Sequence, residues 1–300
     1  MIRAPLGDQV YWDESVKFED YAISHMIEVL EKSPANPSYD PQYRFELAKE
    51  NWHCLLARYS RGDAISDLSA YFRPMLDAWE ESERSGQSVW TEQQQYTRRA
   101  WAVNLDHYIV CFWLVGLALA LEIPDDQWQR LLALIDNEGE DELLDRVIAS
   151  RSPGRKIGTK LCHPKPYQRL LDAVNAPKPE QAKPLLTFVR KWYVELDRPA
   201  KPGEAPAAAM YERPYWYILG NKKLDDSGYF GRWCVEAVAA VKAFGIDDSL
   251  CLGHEHYPGD LLRPDGPSTH KPREEVRTPI PEAPASRDKT SLFARLFGKK

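Results

Sequence analysis

The chain has 300 residues, of which 43% are hydrophobic, and a formal net charge of −6. This length accommodates one large domain or two small ones, with an apolar content ordinary for a globular protein. Residues 264–300 carry a charge of +3, so the preceding body carries −9. An acidic body disfavours direct binding to nucleic acid, whose phosphates require a basic face, and instead suits a protein partner with a basic surface.

The cysteines and the hydrophobic stretches indicate the compartment. Five widely spaced cysteines are an odd number and are typical of reduced thiols in a reducing environment. The first fifteen residues contain no apolar run, so we expect no signal peptide. The most hydrophobic stretch, residues 108–121, is shorter than the roughly 20 residues that span a bilayer. We therefore predict a cytoplasmic protein without a membrane span.

Apolar residues recur at steps of three and four along most of the chain, which predicts helices. The predicted helices cover residues 13–32, 41–61, 65–83 and 91–122, a fifth that begins at Pro124, a short sixth led by the acidic segment 138–146, and then residues 164–175 and 179–197. Pro74 should kink or restart the third helix. No segment alternates with a period of two. The expected fold is therefore an all-α multi-helix bundle with little or no β-sheet.

The basic, Pro- and Gly-containing loop 151–165 predicts a boundary between two halves. We expect an N-terminal helical domain over residues 1–150 and a C-terminal helical domain over residues 151–263. Residues 264–300 have little apolar content until near the end, so we expect a disordered tail.

Two further patterns concern the organisation of the halves. Residues 198–225 are rich in Pro, Ala and Gly and predict a long irregular connection, with residues 215–219 packed onto the core. The sequences ALALEIPDDQW and AVKAFGIDDSL both end an apolar helix on Ile and start another with paired aspartates. This echo indicates two helical units of similar design, which could stack.

The stretch from Tyr229 to Asp260 begins as a predicted helix and ends in a loop of charges and histidines. Asp226 and Ser227 are suitable caps for the helix start, and Gly245 is suitable for a left-handed residue at its end. Glu236 lies within the apolar helix, where a buried carboxylate would need a partner. The apolar face of the predicted helix consists of Phe230, Trp233, Ala237, Val241 and Phe244.

This stretch resembles the C-terminal domain of the PoNi family of bacterial immunity proteins. The residues that carry the resemblance are Tyr229, Gly231, Trp233, Glu236, Gly245, Ile246, Asp247, Asp248, Ser249, Tyr257, Pro258 and Asp260. They are a signature of the fold more than a set of reacting groups, and the N-terminal half is similar in layout to the family's other domain.

The resemblance implies an immunity protein that is not an enzyme and needs no cofactor. It would neutralise a cognate nuclease toxin by stoichiometric occlusion. Such toxins act in interbacterial competition and are delivered by contact-dependent machines such as type VI secretion systems. The aromatic-rich helical surfaces are also compatible with a homodimer.

The densest run of like charge is a candidate toxin-binding patch. Its residues are Asp136, Glu138, Glu140, Asp141, Glu142 and Asp145. The simple interpretation is a solvated helix start, where carboxylates favour the helix dipole. As a patch, they could instead meet a basic toxin face.

A dense group of metal-capable residues is His254-Glu255-His256. Alternate residues do not share a helix face, so this is not a helical metalloprotease motif, and a site would need Asp247, Asp248 or Asp260 as well. We predict no metal and no catalytic residue. Two alternatives stay open: a helical enzyme, with or without a metal, that uses residues 254–260, and a helical scaffold with another partner.

Overall fold

The computed structural model describes residues 1–197, 214–221, 224 and 228–272. The α-helices are α1 (Gln9–Lys32), α2 (Asp40–Arg61), α3 (Ile65–Leu68), α4 (Phe72–Gly86), α5 (Glu92–Arg99), α6 (Leu105–Ala120), α7 (Asp125–Ile135), α8 (Glu142–Ala149), α9 (Pro164–Asn175), α10 (Ala182–Glu195) and α11 (Val235–Phe244). No strand occurs in this part of the chain, which confirms the predicted all-α class. None of its helices is long and apolar enough to cross a membrane.

Helix α6 lies at the centre of the molecule. Every one of its residues except Asp106 is buried, as expected for a helix that is apolar on all sides. It packs against α11, and Gly116 allows the two backbones to approach closely, because a Cβ there would lie 2.9 Å from Val235 Cγ1. Helices α1, α2 and α4 pack together, as do α9 and α10, so the central pair joins two helical groups.

The core is continuous across the two predicted halves. Trp216, from the irregular segment expected to pack on the core, lies with its ring centre 4.9 Å from that of Trp113 on α6 and 5.6 Å from that of Trp192 on α10. The His53 ring stacks on Phe230 at 4.4 Å. The segments predicted as domains 1–150 and 151–263 therefore share one hydrophobic core.

The predicted single helix over 91–122 is wrong, because the chain breaks it into α5 and α6. Asn104 caps α6, since its side-chain oxygen accepts the His107 N–H at 3.0 Å, and its amide donates to the carbonyl of Arg98 at 3.1 Å. The intervening turn places the Trp101 side chain entirely inside the protein. The continuous apolar pattern therefore conceals a capped break.

The last helix begins at Val235 and not at Tyr229, so the predicted start is wrong; the suggested caps Asp226 and Ser227 lie outside the described residues. Gly231 has a φ of +111°, which ends any helix there. Ser60 Oγ donates to the carbonyl of Phe230 at 2.7 Å and accepts from Trp233 Nε1 at 2.8 Å. Phe230 and Trp233 are therefore buried, but they lie on a non-helical segment before the helix.

Two smaller expectations concern a proline and the tail. Pro74 lies in the first turn of α4, where its missing N–H breaks no helical bond, so it restarts the helix after α3. Residues 264–272 belong to the segment expected to be disordered, but they pack on the body. Thr269 N donates to Asp260 Oδ1 at 2.6 Å, and His270 shares a 2.8 Å hydrogen bond with Tyr59. Residues 273–300 lie outside the described residues.

Candidate functional site

The predicted acidic patch is built around Asp141, which is completely buried. Its Oδ1 accepts the N–H groups of Leu143 and Leu144 at 2.9 and 2.8 Å, so it caps α8. The Tyr108 hydroxyl donates to the same oxygen at 3.0 Å, and Cys162 N donates to Oδ2 at 2.7 Å. Burial raises the pKa of Asp141, while these four donors favour its charged form. Asp141 therefore anchors the fold.

Asp145 is also completely buried. It forms an ion pair with the buried side chain of Arg155, with 2.7 Å between Nε and Oδ1. Its Oδ2 accepts the N–H groups of Gly139 at 3.0 Å and Gly158 at 3.1 Å. A buried ion pair is tolerated when further hydrogen bonds complete it in this way. Asp141 and Asp145 cannot contact a partner from the interior, so they do not belong to a toxin-binding surface as the sequence predicts.

The surface part of the patch consists of Asp136, Glu138, Glu140 and the half-buried Glu142, which we call the acidic loop. The basic loop predicted as a domain boundary packs directly on it. Lys156 N donates to Glu138 Oε1 at 2.7 Å, and Glu142 N donates to the carbonyl of Lys160 at 2.9 Å. The exposed side chains of Lys156 and Lys160 reduce the local charge. A run of carboxylates in the sequence could not show these lysines, which lie about 20 residues further along the chain.

The acidic loop is held in one conformation. Asp136 and Asn137 have φ values of +47° and +57°, a region that is uncommon for non-glycine residues and that Asn and Asp adopt more readily than most. The Asn137 amide donates to the carbonyls of Arg99 and Ile135, each at 2.9 Å. Arg155 donates to the carbonyl of Asp136 at 3.0 Å. A partner would therefore meet carboxylates on a backbone that is already ordered.

The signature residue Glu236 lies in the centre of the protein, with no exposure. Its Oε1 accepts from the Tyr167 hydroxyl at 2.9 Å and from Trp192 Nε1 at 3.1 Å. Burial raises the pKa of this carboxyl to about 7, and the two donors act in the opposite direction. Glu236 thus joins α9, α10 and α11 from inside the core, far from any partner.

The remaining signature residues fix the chain after α11. Gly245 ends the helix with a φ of +64°, and the carboxylate of Asp247 accepts the Ser249 N–H at 2.9 Å. Asp248 accepts from the Tyr257 hydroxyl at 2.6 Å, and Pro258 is buried beside that tyrosine.

Asp260 connects this segment to residues near the start of the chain and to residues 264–272. It accepts from Arg3 Nε at 2.7 Å and from Thr269 N at 2.6 Å. The aspartates of the signature are therefore engaged by protein donors.

The histidines near the signature are likewise part of the packing. The His256 ring contacts the Arg232 carbonyl at 3.2 Å and packs on Trp192 and Tyr193, and burial lowers its pKa to about 4. His254 Nδ1 accepts the backbone N–H of His256 at 3.2 Å. Within the described ranges, no group of three or more His, Cys, Asp or Glu side chains is placed to hold a metal ion.

The described residues also form concave sites, among them the following two. A cavity of about 240 Å³ lies between α2, α4 and α6, and it has aromatic walls that include Trp52 and Trp79. Its Asp106 carboxyl has a pKa raised to about 7 by burial and accepts the Tyr215 N–H at 2.9 Å. Charged groups at its rim form ion pairs with one another, Lys49 with Glu46 and Arg99 with Glu83.

The second site is an open groove of about 500 Å³ beside α1, which we call the α1 groove. Helix α1 contributes Asp20, Ile23 and Ser24 to it, and Asp67 and Tyr71 line it as well. Arg58 also lines the groove and pairs with Asp20 at 2.5 Å. This mixed charged and apolar lining suits contact with a protein surface.

Comparison with known proteins connects this architecture to a family. The chain matches the model of the PoNe immunity protein (PoNi) N-terminal domain over residues 3–133 and that of the PoNe immunity proteins (PoNi), C-terminal, over residues 139–261. A solved structure titled "The Crystal Structure of Protein PA2201 from Pseudomonas aeruginosa" has a similar fold. Its TM-score is 0.64 at 19% sequence identity, over 87% of this chain and 89% of that chain. Comparison with curated proteins gives no match. With its two halves matched in order, the chain belongs to the PoNe immunity protein (PoNi) family, which indicates immunity to polymorphic nuclease toxins.

Proposed function

We propose that this protein binds one cognate nuclease toxin and neutralises it by stoichiometric occlusion, without catalysing a reaction. The observation that carries the proposal is the consecutive match to both domains of the PoNi family. The ordered acidic loop supports it, since a surface that is preformed loses little entropy on binding. The protein would act in the cytoplasm of the toxin-producing cell, where it would protect against a toxin of the kind exchanged by type VI secretion.

Charge supports the choice of partner. A nuclease must hold phosphates and so carries a basic face, while the body of this protein carries −9. Opposite charges accelerate association, and salt screens them. We propose that Asp136, Glu138, Glu140 and Glu142 take part in this attraction. Protection of the cell would require a dissociation constant on the order of nanomolar or below.

Co-expression with the nuclease encoded by the adjacent gene, in a susceptible bacterium, tests the proposal. We expect survival, intact genomic DNA and co-purification of the two proteins in a fixed ratio. A catalytically inactive toxin serves as the control for toxicity unrelated to nuclease activity. Continued killing, with no complex formed, would overturn the proposal. A stoichiometric metal in the purified protein, lost on His254→Ala plus His256→Ala, would favour the enzyme alternative.

A further inference from the structure

Helix α1 has an unusual outer face. Its 24 residues extend for about 36 Å, and its inner side buries Trp12 and Val16 against the core. On the opposite side, the side chains of Val10, Phe18 and Tyr21 are 65%, 40% and 54% exposed. Their spacings of eight and three residues place them on one side of the helix at 100° per residue. The outer side of a surface helix is normally polar, so this stripe requires an explanation.

The stripe has the composition of a binding surface. Tyrosine and phenylalanine are enriched in the centres of protein interfaces, where they provide much of the binding energy. The Tyr21 ring stacks on His25, with 5.8 Å between ring centres and 2° between planes. This contact orders the exposed ring before binding and so reduces the entropy lost on complex formation.

The same helix carries negative charge. Its exposed carboxylates, with that of its N-cap Asp8, outnumber the exposed lysines Lys17 and Lys32 by five to two. Two of these carboxylates are paired, because Lys32 contacts Glu28 at 2.7 Å and Arg61 Nη1 lies 3.6 Å from Asp13 Oδ1. The exposed carboxylates are those of Asp8, Asp13, Glu14, Glu28 and Glu31.

The α1 groove runs beside this helix and is lined by Asp20 and Asp67, and Arg58 of the same groove pairs with Asp20 at 2.5 Å. An aromatic stripe bordered by carboxylates and next to a groove is complementary to a basic surface that also exposes apolar side chains.

We propose that the face formed by Val10, Glu14, Phe18 and Tyr21, the α1 face, together with the α1 groove docks on the basic, nucleic-acid-binding face of the nuclease. This inference rests on the proposed function and names the surface that would carry it. The α1 face combines exposed aromatic rings with a helix on which exposed carboxylates outnumber exposed lysines, whereas the acidic loop consists of carboxylates alone. The α1 face therefore supplies the close contacts, and the acidic loop contributes mainly long-range attraction.

The test measures binding of the full-length chain to the purified nuclease domain encoded by the adjacent gene, inactivated at its catalytic residue. The double variant Phe18→Ala/Tyr21→Ala should weaken the dissociation constant by about 30-fold or more, as expected when two central aromatic contacts are lost. The matched control is Tyr96→Ala/Val194→Ala, which removes side chains that are 56% and 67% exposed on α5 and α10. It should change the constant by less than about threefold.

Charge reversal provides a second, independent measurement. Glu14→Lys should slow association at low salt, and the difference from wild type should shrink as the salt concentration rises. All the altered side chains are exposed, so unfolding curves should match the wild type and exclude a folding defect.

The outcomes separate this inference from the proposed function. A wild-type protein that fails to bind the nuclease overturns the proposed function, and the α1 assignment with it. A wild-type protein that binds, with an unchanged constant for Phe18→Ala/Tyr21→Ala, overturns the α1 assignment alone. If the double variant instead converts a homodimer to a monomer and still binds the nuclease normally, the α1 face serves a second copy of this chain and the assignment is wrong.

Discussion

Replacing Glu236 by glutamine should flatten the pH dependence of stability, because this buried carboxyl holds its proton more tightly in the folded than in the unfolded chain. Its pKa is raised from 4.5 to about 7 by burial among α9, α10 and α11. Below pH 4.5 the group is protonated in both states and costs nothing. As the pH rises towards 7, the unfolded chain releases the proton while the folded chain keeps it, so the free energy of unfolding falls. Above pH 7 the loss is complete.

The size of the effect follows from the shift. One pKa unit corresponds to about 1.4 kcal/mol, so Glu236 should lower the free energy of unfolding by about 2–3 kcal/mol between pH 5 and pH 8. Glutamine does not titrate, and its side-chain oxygen can still accept from Tyr167 and Trp192. The difference between wild type and variant therefore isolates this carboxyl. Other buried acids with raised pKa values, such as Asp106 and Asp141, cancel in the comparison.

Urea unfolding followed by tryptophan fluorescence, at pH values from 5 to 8, measures this difference, and the ten tryptophans supply the signal. The exposed Asp126 on α7 provides a control, since Asp126→Asn should leave the wild-type slope in place. If Glu236→Gln shows the same decline with pH as the wild type, the carboxyl does not retain its proton in the folded state and the reasoning is refuted.

Three further predictions concern other parts of the structure. Asp141→Ala should lower the free energy of unfolding by about 3 kcal/mol or more in urea, because it removes the α8 cap and leaves buried donors unpaired. The control is Glu140→Ala, on the exposed side of the same loop, which should change the free energy of unfolding by less than about 0.5 kcal/mol. Gly231→Ala should lower the free energy of unfolding by about 2 kcal/mol or more in the same assay, since the φ of Gly231 is +111° and a Cβ would lie 2.5 Å from Ser60 Oγ. The control is Gly154→Ala, because the space around Gly154 is open. The association rate constant with the nuclease should fall about tenfold or more between 50 and 500 mM salt in stopped-flow measurements, and a rate that ignores salt would contradict the electrostatic part of the proposal.

The sequence predicted the helices well where the apolar period is regular and failed where side chains interrupt it. Helices α2 and α9 begin and end within one residue of their predicted limits, because Pro and Gly mark their ends. Helix α1 ends where predicted but begins at Gln9, four residues before the predicted start at 13, because Asp8 caps it. The break at Asn104 was missed because apolar residues continue on both sides of it. The late start of α11 was missed because Gly231 and the contacts of Ser60 impose an extended backbone that periodicity does not register. Both errors arise from tertiary contacts that override a local pattern.

The candidate site shows the same limit in terms of charge. The density of carboxylates around Asp141 is plain in the sequence, but several of the donors that hold Asp141 and Asp145 inside, the guanidinium of Arg155 and the N–H groups of Gly158 and Cys162, come from residues 155–162. Part of the acidic stretch therefore holds its own loop against residues 155–162. Counting charges along the chain therefore overstates the patch, while the α1 face, whose carboxylates are dispersed over six turns, is understated. For the proposed recognition of one basic partner, the informative quantity is charge that remains exposed beside ordered aromatic side chains, and this combination becomes visible only once burial is known.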